Sequence, residues 1–294
     1  MISKYDTLKK DIFRLNEDEE FYKAYYRAGH SSEGLKEFLS QIDKGDATRR
    51  HLVIPELLPE SISYEMNDEE YFKEGDSKNV YISIHNRYTP AFLHRHNFFE
   101  IVFVYHGSCA QNIGANRKYF SDGDVIFIAP GVYHTMEVFQ DDSIVFNILI
   151  QQKTFHQMFL PLAKGDDIQS KFFKEGLYNQ HQLEYLVYHT KDSWKSFVLK
   201  MYYEHLNHDG FSDQILIGML TYLSADTMRR FQDTMESSYF FMQSRQLDDF
   251  LVLNYIQEHI DTVTLTEISK HFGFSLSYCS KLIKNTTGMG FNDW

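Results

Sequence analysis

The sequence predicts an α+β protein in which an antiparallel β-barrel is followed by helices and a helix-turn-helix. Residues 79–151 contain short runs rich in β-branched and aromatic residues, separated by turn residues. Such regularly spaced short strands favour a sandwich or barrel over alternating strands and helices. After residue 151, longer segments place apolar residues three and four positions apart, which indicates amphipathic helices. Residues 247–294 have the spacing of two short helices joined by a tight turn.

Length and composition set limits on the class of protein. A chain of 294 residues with 43% apolar content has room for two domains with substantial cores. No segment approaches about 18 consecutive apolar residues, and the N-terminus lacks the apolar core of a signal peptide. We therefore expect a cytoplasmic protein without a membrane partner. Cys109 and Cys279 lie in different predicted domains, so we expect no disulfide.

The formal charge of −12 argues against non-specific binding of nucleic acid along the whole surface. Neutralising phosphates requires clustered lysine and arginine side chains. Any contact with DNA must therefore come from a local basic patch.

The patterns divide the chain into four predicted regions. These are an acidic helical N-terminal extension (1–75), the barrel (76–151), a helical connecting or dimerisation region (152–245) and a segment with a helix-turn-helix (246–294). In the extension, aromatic and aliphatic residues recur at helical spacing between Phe21 and Ile42. We expect these helices to pack on the barrel or on a second subunit, with a partner-binding module as the alternative.

The connecting region contains two strongly amphipathic segments. One predicted apolar face comprises Val198, Met201, Tyr202 and His205, and the next comprises Ile215, Met219, Tyr222 and Leu223. Core packing within one subunit and helix pairing between two subunits have the same sequence pattern. A homodimer is therefore one of two equal interpretations of these faces.

A cluster of metal-ligating residue types lies in the barrel region. Alternate side chains of an extended strand share one face, which places His94, His96 and Glu100 together. A turn marked by Pro130 and Gly131 precedes His134, and this turn would return a third imidazole toward that face.

These residues carry a resemblance to the cupin family. The pattern His-x-His-x3-Glu-x6-Gly of the first cupin motif is filled by His94, His96, Glu100 and Gly107. The second motif is similar to the segment that contains Gly123, Ala129, Gly131 and His134. Ala129 replaces the usual proline, and Val138 stands where many cupins have an asparagine. The resemblance implies a cupin-like barrel whose contents are a separate question.

The four polar residues allow two interpretations. Three neutral imidazoles and a carboxylate suit a divalent transition metal such as zinc, iron, manganese or nickel. Alternatively, His94, His96, Glu100 and His134 line an effector pocket that requires no cofactor and binds a sugar or another polar metabolite. Cupin barrels also host metal-dependent dioxygenases and isomerases, so an enzyme is the main rival class.

The C-terminal segment has the start and stop signals of two helices. Thr264 and Glu267 form a capping box that begins the first helix. Gly273 tolerates the left-handed conformation that the turn needs, and Ser275 or Ser277 can cap the second helix. Small residues at these offsets allow two helices to cross closely, which favours a DNA-binding helix-turn-helix over a simple hairpin.

The second helix presents a local basic face, with no acidic residue between Ser275 and Thr287. We expect four of its side chains to face the major groove, with the lysines equally able to contact phosphate. These are Ser277, Ser280, Lys281 and Lys284. Cys279 is interpreted as a buried structural cysteine, with a redox sensor as the alternative.

Residues 265–294, LTEISKHFGFSLSYCSKLIKNTTGMGFNDW, closely resemble the first helix-turn-helix of the AraC/XylS family of transcription regulators. The resemblance implies an N-terminal cupin-like domain for effector binding and dimerisation, followed by two helix-turn-helix units joined by a long helix. Phe291 and Trp294 resemble the start of that joining helix. We therefore expect a DNA-binding domain truncated after its first unit, with weak specific DNA binding.

The order of barrel, helices and DNA reader favours a ligand-responsive, dimeric transcription regulator that is not an enzyme. Its expected partners are operator DNA, a small-molecule effector and a second copy of the chain. The alternatives are a metal-dependent cupin enzyme, either dioxygenase or isomerase, and a protein-interaction module.

Overall fold

The computed structural model describes residues 4–72, 78–114, 116–163, 165, 167–177, 183–238, 255–256, 263–272, 275–287 and 291. The chain separates into two compact units, Met1–Ser237 and Ser238–Trp294. The first unit combines helices with an antiparallel sheet of six strands, which confirms the α+β class and the cupin-like β-structure predicted from the sequence. None of the described helices is both long enough and apolar enough to cross a membrane.

The strands of the first unit form one large sheet and two small ones. The strands are β1 (Glu65–Met66), β2 (Val80–Ile84), β3 (Arg95–His96), β4 (Phe99–His106), β5 (Ser108–Ile113), β6 (Asn116–Ser121), β7 (Asp124–Ile128), β8 (Ile144–Ile150), β9 (Tyr185–His189) and β10 (Glu236–Ser237). The main sheet is antiparallel, in the order β10-β9-β7-β4-β8-β2, and the β5–β6 hairpin and the parallel β1–β3 pair are two smaller sheets. Strands β4, β7 and β8 are almost wholly buried, as expected for strands covered on both faces.

Residues 135–140 are one of the runs within 79–151 that are rich in β-branched and aromatic residues and were expected to be strands, but they form no continuous strand. The segment contains isolated bridges, from His134 to His94 and Ile113 and from Glu137 to Ala110. Two of these bridges connect the segment to β5, at Ala110 and Ile113. Two tight turns depend on glycine: Gly107 and Gly123 have φ of 74° and 88°, and a Cβ at Gly123 would overlap the backbone of Lys191.

Along the sequence, helices come both before and after the strands of the barrel. Those of the extension are α1 (Lys4–Asp11), α2 (Glu17–Ala28), α3 (Ser32–Ser40), α4 (Lys44–Arg49) and α5 (Asp68–Tyr71), with a 3-10 turn at Pro59–Ser61. Those after the barrel are α6 (Gln152–Phe159), α7 (Ile168–Leu177), α8 (Lys195–Leu206) and α9 (Ser212–Phe231), followed by a 3-10 turn at Gln232–Thr234. An aromatic cluster from α2 and α3 packs against Tyr88 and Phe139 of the barrel, which agrees with the expected packing of the extension.

The two amphipathic helices differ in how well their buried faces match the sequence pattern. On α8, Val198 and Met201 are fully buried, as predicted. On α9, Leu223 of the predicted face is buried and Met219 packs against the core, but Leu216 and Leu220, which the pattern did not assign to that face, are also buried. Ile215 and Tyr222, which the pattern assigned to that face, are 41% and 56% exposed. The helix has apolar residues on both sides, and periodicity alone does not distinguish them.

Strand β10 is the last element of the first unit. It pairs antiparallel with β9 through Glu236 and Ser237. The Glu236 carboxylate accepts a hydrogen bond from Lys118 Nζ at 3.0 Å and lies 3.3 Å from His189 Nε2. The place where the chain leaves this unit is therefore fixed at the edge of the main sheet.

The second unit contains the two helices predicted at the C-terminus, α10 (Leu265–Phe272) and α11 (Leu276–Thr287). Thr264 and Glu267 make the expected capping box, and Ser275, rather than Ser277, accepts the hydrogen bond from the Tyr278 N–H. The helices share a buried apolar cluster of Ile256, Ile268, Cys279, Leu282 and Ile283. Burial raises the pKa of the Cys279 thiol, which fits the structural interpretation of this residue.

A buried ion pair joins the N-terminal extension to the barrel. Arg87 and Glu19 are 1% and 2% exposed, and the guanidinium donates to both carboxylate oxygens at 2.8 Å. The same guanidinium donates to the carbonyl oxygens of Phe13, Arg14 and Asp141. Every side of the guanidinium fork thus has an acceptor, which offsets the cost of burying its charge.

Glu19→Ala should therefore lower the free energy of unfolding by about 3–5 kcal/mol, because Arg87 would remain buried without its counter-ion. Urea unfolding followed by the fluorescence of buried Trp194 measures this change. Asp11→Ala is the control, since the Asp11–Arg14 pair is exposed and its removal should cost less than about 1 kcal/mol. Equal destabilisation of the two variants would contradict the prediction.

Candidate effector and metal site

The two sequence motifs meet through backbone hydrogen bonds. His94 and His134 exchange a pair of N–H to carbonyl bonds at 3.0 and 2.9 Å, and the Gly131 N–H donates to the His96 carbonyl at 2.7 Å. Gly131 has a φ of 78°, which is the left-handed turn that brings His134 back toward the first motif. The return of the chain that the Pro130–Gly131 turn suggested is therefore present.

One carboxylate oxygen lies between two imidazoles. Glu100 Oε2, at the start of β4, is 3.1 Å from His96 Nε2 and 3.1 Å from His134 Nε2. All three residues are buried, with exposures of 4%, 3% and 1% for Glu100, His96 and His134. The His96 ring also stacks on Phe98 with centroids 4.4 Å apart. The ligand atoms of the three residues all lie within 4.8 Å of one another.

Backbone carbonyls orient the imidazole rings. His96 Nδ1 lies 2.7 Å from the Phe98 oxygen, His134 Nδ1 lies 3.0 Å from the Val132 oxygen, and His94 Nδ1 lies 3.2 Å from the Phe92 oxygen. A carbonyl oxygen only accepts, so each Nδ1 carries a hydrogen. In a neutral ring Nε2 then holds the lone pair, whereas in an imidazolium Nε2 also carries a hydrogen. Hydrogen bonds of this kind also orient histidine ligands in metal sites.

The cluster therefore brings two imidazole nitrogens and a carboxylate oxygen together in a buried space. Both Nε2 atoms lie 3.1 Å from the same carboxylate oxygen, so either the rings donate Nε2–H to that oxygen or a cation lies between them. Burial alone would raise the pKa of Glu100, but the hydrogen bonds and charges of His134 and His96 hold that pKa well below its usual range. Burial, together with the charge of His134, lowers the pKa of His94 to about 3.

The residues present fit a divalent transition metal. His96, Glu100 and His134 offer two nitrogens and one oxygen, the donor set that zinc or iron accepts. His94 does not join this set, although its ring centroid lies 4.3 Å from that of His134. The structure thus brings three of the four predicted residues together and places the fourth beside them. A bend at residues 97 and 98 interrupts the continuous strand from which the common face was predicted.

A cavity of about 340 Å³ opens from this cluster into the barrel. Its wall includes all four predicted residues together with Tyr81, Ser83, Ile84, His85, Asn86, Thr89, Pro90, Phe92, Phe98, Met136, Asn147 and Leu149. The extension supplies Tyr22, His51, Val53, Met66 and Tyr71. The contribution of the extension was not predicted, because it depends on contacts between segments far apart in sequence. Only the aromatic spacing around Tyr22 indicated that these helices are packed against something.

Two polar atoms of the cavity wall have no hydrogen-bond partner among the described residues. These are Asn147 Oδ1 on β8 and His85 Nε2 after β2. Burial lowers the pKa of His85 to about 4, so its ring is neutral near pH 7. Buried polar atoms are nearly always satisfied, so a molecule in the cavity is the natural partner for both.

The four predicted DNA-contacting residues lie on α11 of the second unit. Ser277, Ser280, Lys281 and Lys284 are all exposed, while Cys279 and Leu282 of the same helix are buried. The helix thus separates an apolar face from a polar face that carries two cations. Their role in reading DNA stays a prediction.

The fold and the cavity define a cupin-like domain with the features of a small-molecule site. Residues 81–160 match the family described as AraC-like ligand binding domain. No curated protein matches the chain.

Solved structures with some similarity include an apo ToxT variant from Vibrio cholerae, with 12% identity over 74% of this chain and 97% of that chain and a TM-score of 0.37. An unsaturated fatty acid-bound ToxT from Vibrio cholerae has 10% identity over 73% and 93%, with a TM-score of 0.33. A cupin protein from Bacteroides fragilis has 20% identity over 25% and 67%, with a TM-score of 0.21. These scores are low.

Glu100→Gln should lower the free energy of unfolding by about 3 kcal/mol at pH 7, because both imidazoles would be left without their charged partner. Folding lowers the pKa of Glu100, so the carboxylate stabilises the fold fully above the usual value of 4.5. This contribution disappears as the pH falls through the lower value of the folded state. The difference between wild type and variant should therefore shrink in urea titrations below pH 4.5.

Glu65→Gln is the control for this comparison, because Glu65 pairs with Arg95 at the surface and its side chain is 57% exposed. Equal stability of wild type and Glu100→Gln at pH 7 would show that the two short contacts contribute nothing.

Proposed function

We propose that the chain is a ligand-responsive, DNA-binding transcription regulator of the AraC/XylS type. A small molecule is sensed in the barrel cavity, and DNA is read by the helix pair α10 and α11. The observation that carries this proposal is the presence, on one chain, of a cavity within an AraC-like ligand-binding match and a helix pair with an exposed basic face. A metabolic enzyme has no use for such a helix pair.

Several features of the cavity support its role as the effector site. His94, His96, Glu100 and His134 line one end, and Asn147 and His85 supply polar atoms without partners among the described residues. Aromatic rings line the remaining wall, as in many small-molecule sites. Residues from α2 and from the segment after α4 line the cavity together with barrel residues, so a bound molecule would contact the extension and the barrel. Binding would then favour the arrangement in which both are in contact.

DNA recognition is assigned to α11. The cap at Ser275 and the buried cluster hold the helix against α10, while Ser277, Ser280, Lys281 and Lys284 remain exposed. Lysine ammonium groups contact phosphates or guanine, and serine hydroxyls contact base edges. The protein has a net charge of −12, and this patch supplies the local positive charge that DNA binding requires.

The proposal includes a homodimer in the cytoplasm and the four regions 1–75, 76–151, 152–245 and 246–294. Three exposed apolar residues support a face that pairs with a second copy. They are Phe211, which precedes α9, and Ile215 and Tyr222 on α9. Analytical ultracentrifugation tests the dimer, and a monomer at micromolar concentration would contradict this part of the proposal.

A metal-dependent cupin enzyme, either dioxygenase or isomerase, is the second candidate. The close approach of His96, Glu100 and His134 favours it. A divalent metal held there would supply Lewis-acid chemistry, and the aromatic walls would orient a substrate. Near-stoichiometric metal in the purified protein, absent from Glu100→Gln together with turnover of a substrate, would support this candidate. Metal-free protein that still binds ligands would favour the regulator.

The regulator is tested by selecting duplexes from a random-sequence library with the purified chain, with and without a stabilising ligand found by thermal shift. We expect a ligand that raises the melting temperature to change the recovered sequences or their affinity. Ligands that stabilise the protein without any effect on DNA binding would refute the coupling of the two activities.

Lys281→Ala and Lys284→Ala should each weaken binding to a mixed-sequence duplex. Removing one lysine–phosphate interaction should reduce the slope of log K against log salt by about 0.9. Fluorescence anisotropy over a salt series measures the slope. Lys200→Ala, which removes an exposed lysine from α8, is the charge-matched control and should leave the slope unchanged. Equal slopes for all three variants and wild type would show that α11 does not contact the DNA.

A further inference from the structure

We propose that the effector carries an uncharged hydrogen-bonding group, a carboxamide or a hydroxyl, which Asn147 and His85 bind. These two residues then determine which ligand the cavity accepts, at a position separate from the cluster of His96, Glu100 and His134. This inference rests on the proposed function, because it specifies the ligand of the same cavity.

The register of β4, β8 and β2 places Asn147 one step along the sheet from the cluster. Glu100 pairs with Leu149, and Leu149 pairs with Tyr81, so these three residues form one row across the strands. Asn147 lies two residues from Leu149 on β8 and pairs with Ser83 in the next row on the same face. Two residues of a strand span about 7 Å. The Asn147 row is therefore about 7 Å from the row that contains Glu100.

His85 lies in the third row, diagonally across from Asn147. The His85 N–H donates to the Val145 carbonyl at 2.9 Å, which continues the pairing of β2 with β8 beyond the last residue of β2. Both His85 and Asn147 line the cavity. Diagonal neighbours on paired strands are about 7–8 Å apart, so one small ligand group fits between the two polar side chains.

The hydrogen-bonding atoms at this position require a particular kind of group. Asn147 Oδ1 and His85 Nε2 are buried, and neither has a hydrogen-bond partner in the part of the chain that the structure describes. An amide oxygen only accepts, so the ligand must supply a donor to Asn147. An imidazole nitrogen donates or accepts according to its tautomer, so His85 can bind the other atom of the same group. A carboxamide or a hydroxyl both donates and accepts, and it would therefore satisfy both residues.

The surroundings of Asn147 favour an uncharged group. The described residues that line the cavity include no lysine or arginine, and the one carboxyl group among them, that of Glu100, lies in the neighbouring row. The guanidinium of Arg87 is already paired with Glu19. An ionised ligand group beside Asn147 would lose its hydration without a counter-ion in contact. An amide or hydroxyl would lose only hydrogen bonds with water, which the two side chains replace.

The aromatic wall suits the rest of the ligand. Tyr71 meets Phe98 edge-on at 5.3 Å and Tyr81 edge-on at 5.6 Å, and Phe92 lines the same cavity. Aromatic side chains provide a large apolar surface for a flat or apolar skeleton. A cavity of about 340 Å³ is at the lower end for small-molecule sites, so the skeleton must be small.

The test uses three ligands of nearly equal shape: benzamide, acetophenone and benzoate. Acetophenone replaces the amide nitrogen of benzamide by a methyl group and so has no donor, and benzoate replaces it by a charged oxygen. Each is titrated into the full chain by isothermal calorimetry and thermal shift. A chelator is applied first, so that benzoate gains no affinity from a metal ion.

We expect benzamide to bind at least about tenfold more tightly than the other two, because only benzamide supplies a donor to Asn147 without adding a charge. Acetophenone or benzoate binding as tightly as benzamide, or no binding of benzamide, would overturn the assignment.

A variant locates the effect at Asn147. Asn147→Leu keeps a side chain of similar size and removes the acceptor, so benzamide should fall to the affinity of acetophenone. Asn207→Leu is the control, because Asn207 is exposed at the end of α8 and does not line the cavity. It should leave the preference for benzamide intact. A preference that survives in Asn147→Leu would place the amide elsewhere on the protein and overturn the proposal.

The stability of the ligand-free protein gives a second measurement. Asn147→Leu should raise the melting temperature, because it removes a buried acceptor that the fold does not satisfy. Asn79→Leu should lower it, because the Asn79 side chain donates to Asp213 and accepts a hydrogen bond from Thr154. If Asn147→Leu is destabilised as strongly as Asn79→Leu, Asn147 has a structural role and the proposal is wrong.

The outcome for the regulator is separate. A ligand without an amide or hydroxyl that stabilises the protein and alters its DNA binding would refute this ligand class while leaving the effector-responsive regulator in place. Benzamide that binds through Asn147 without any effect on DNA binding would support the ligand class and count against the regulator.

Discussion

The ion pair between Glu19 and Arg87 is the contact on which the shape of the cavity depends. It is fully buried, and its guanidinium also holds the backbone before α2 and the loop at Asp141. Tyr22, one turn after Glu19 on α2, reaches the cavity wall, and its hydroxyl accepts a hydrogen bond from the Val53 N–H. Part of the cavity wall therefore comes from a helix that this ion pair holds against the barrel.

The cluster at the other end of the cavity illustrates how the backbone controls side-chain chemistry. Carbonyl oxygens two residues away fix the ring orientation of His94, His96 and His134. These contacts leave the Nε2 atoms without hydrogens in the neutral rings and direct them at a shared carboxylate oxygen or into the cavity. Two imidazole nitrogens and one carboxylate oxygen therefore converge on one small buried space.

Sequence patterns predicted the site better than its surroundings. His134 returns to the cluster through the predicted glycine turn, whereas His96 and Glu100 lie on either side of a bend and do not meet by alternation along one strand. Strand alternation also placed His94 in the cluster, but His94 lies outside the set of three residues whose ligand atoms converge. The wall residues Tyr22 and His51 come from a segment that approaches the barrel through tertiary contacts, and local periodicity carries no information about such contacts. The error on α9 has a similar origin, since its two apolar sides are equal in pattern and differ only in what packs against them.

Paired strands connect Glu100, at the cavity, to β10, where the chain leaves the first unit. Glu100 on β4 is paired with Ile128 on β7, Ile128 with Tyr185 on β9, and the next residue of β9, Leu186, with Ser237 on β10. Each step spans about 4.8 Å between hydrogen-bonded strands. A sheet resists stretching along this direction far more than a loop does. The series of paired strands that begins at Glu100 therefore ends at Ser237, the last residue of the first unit.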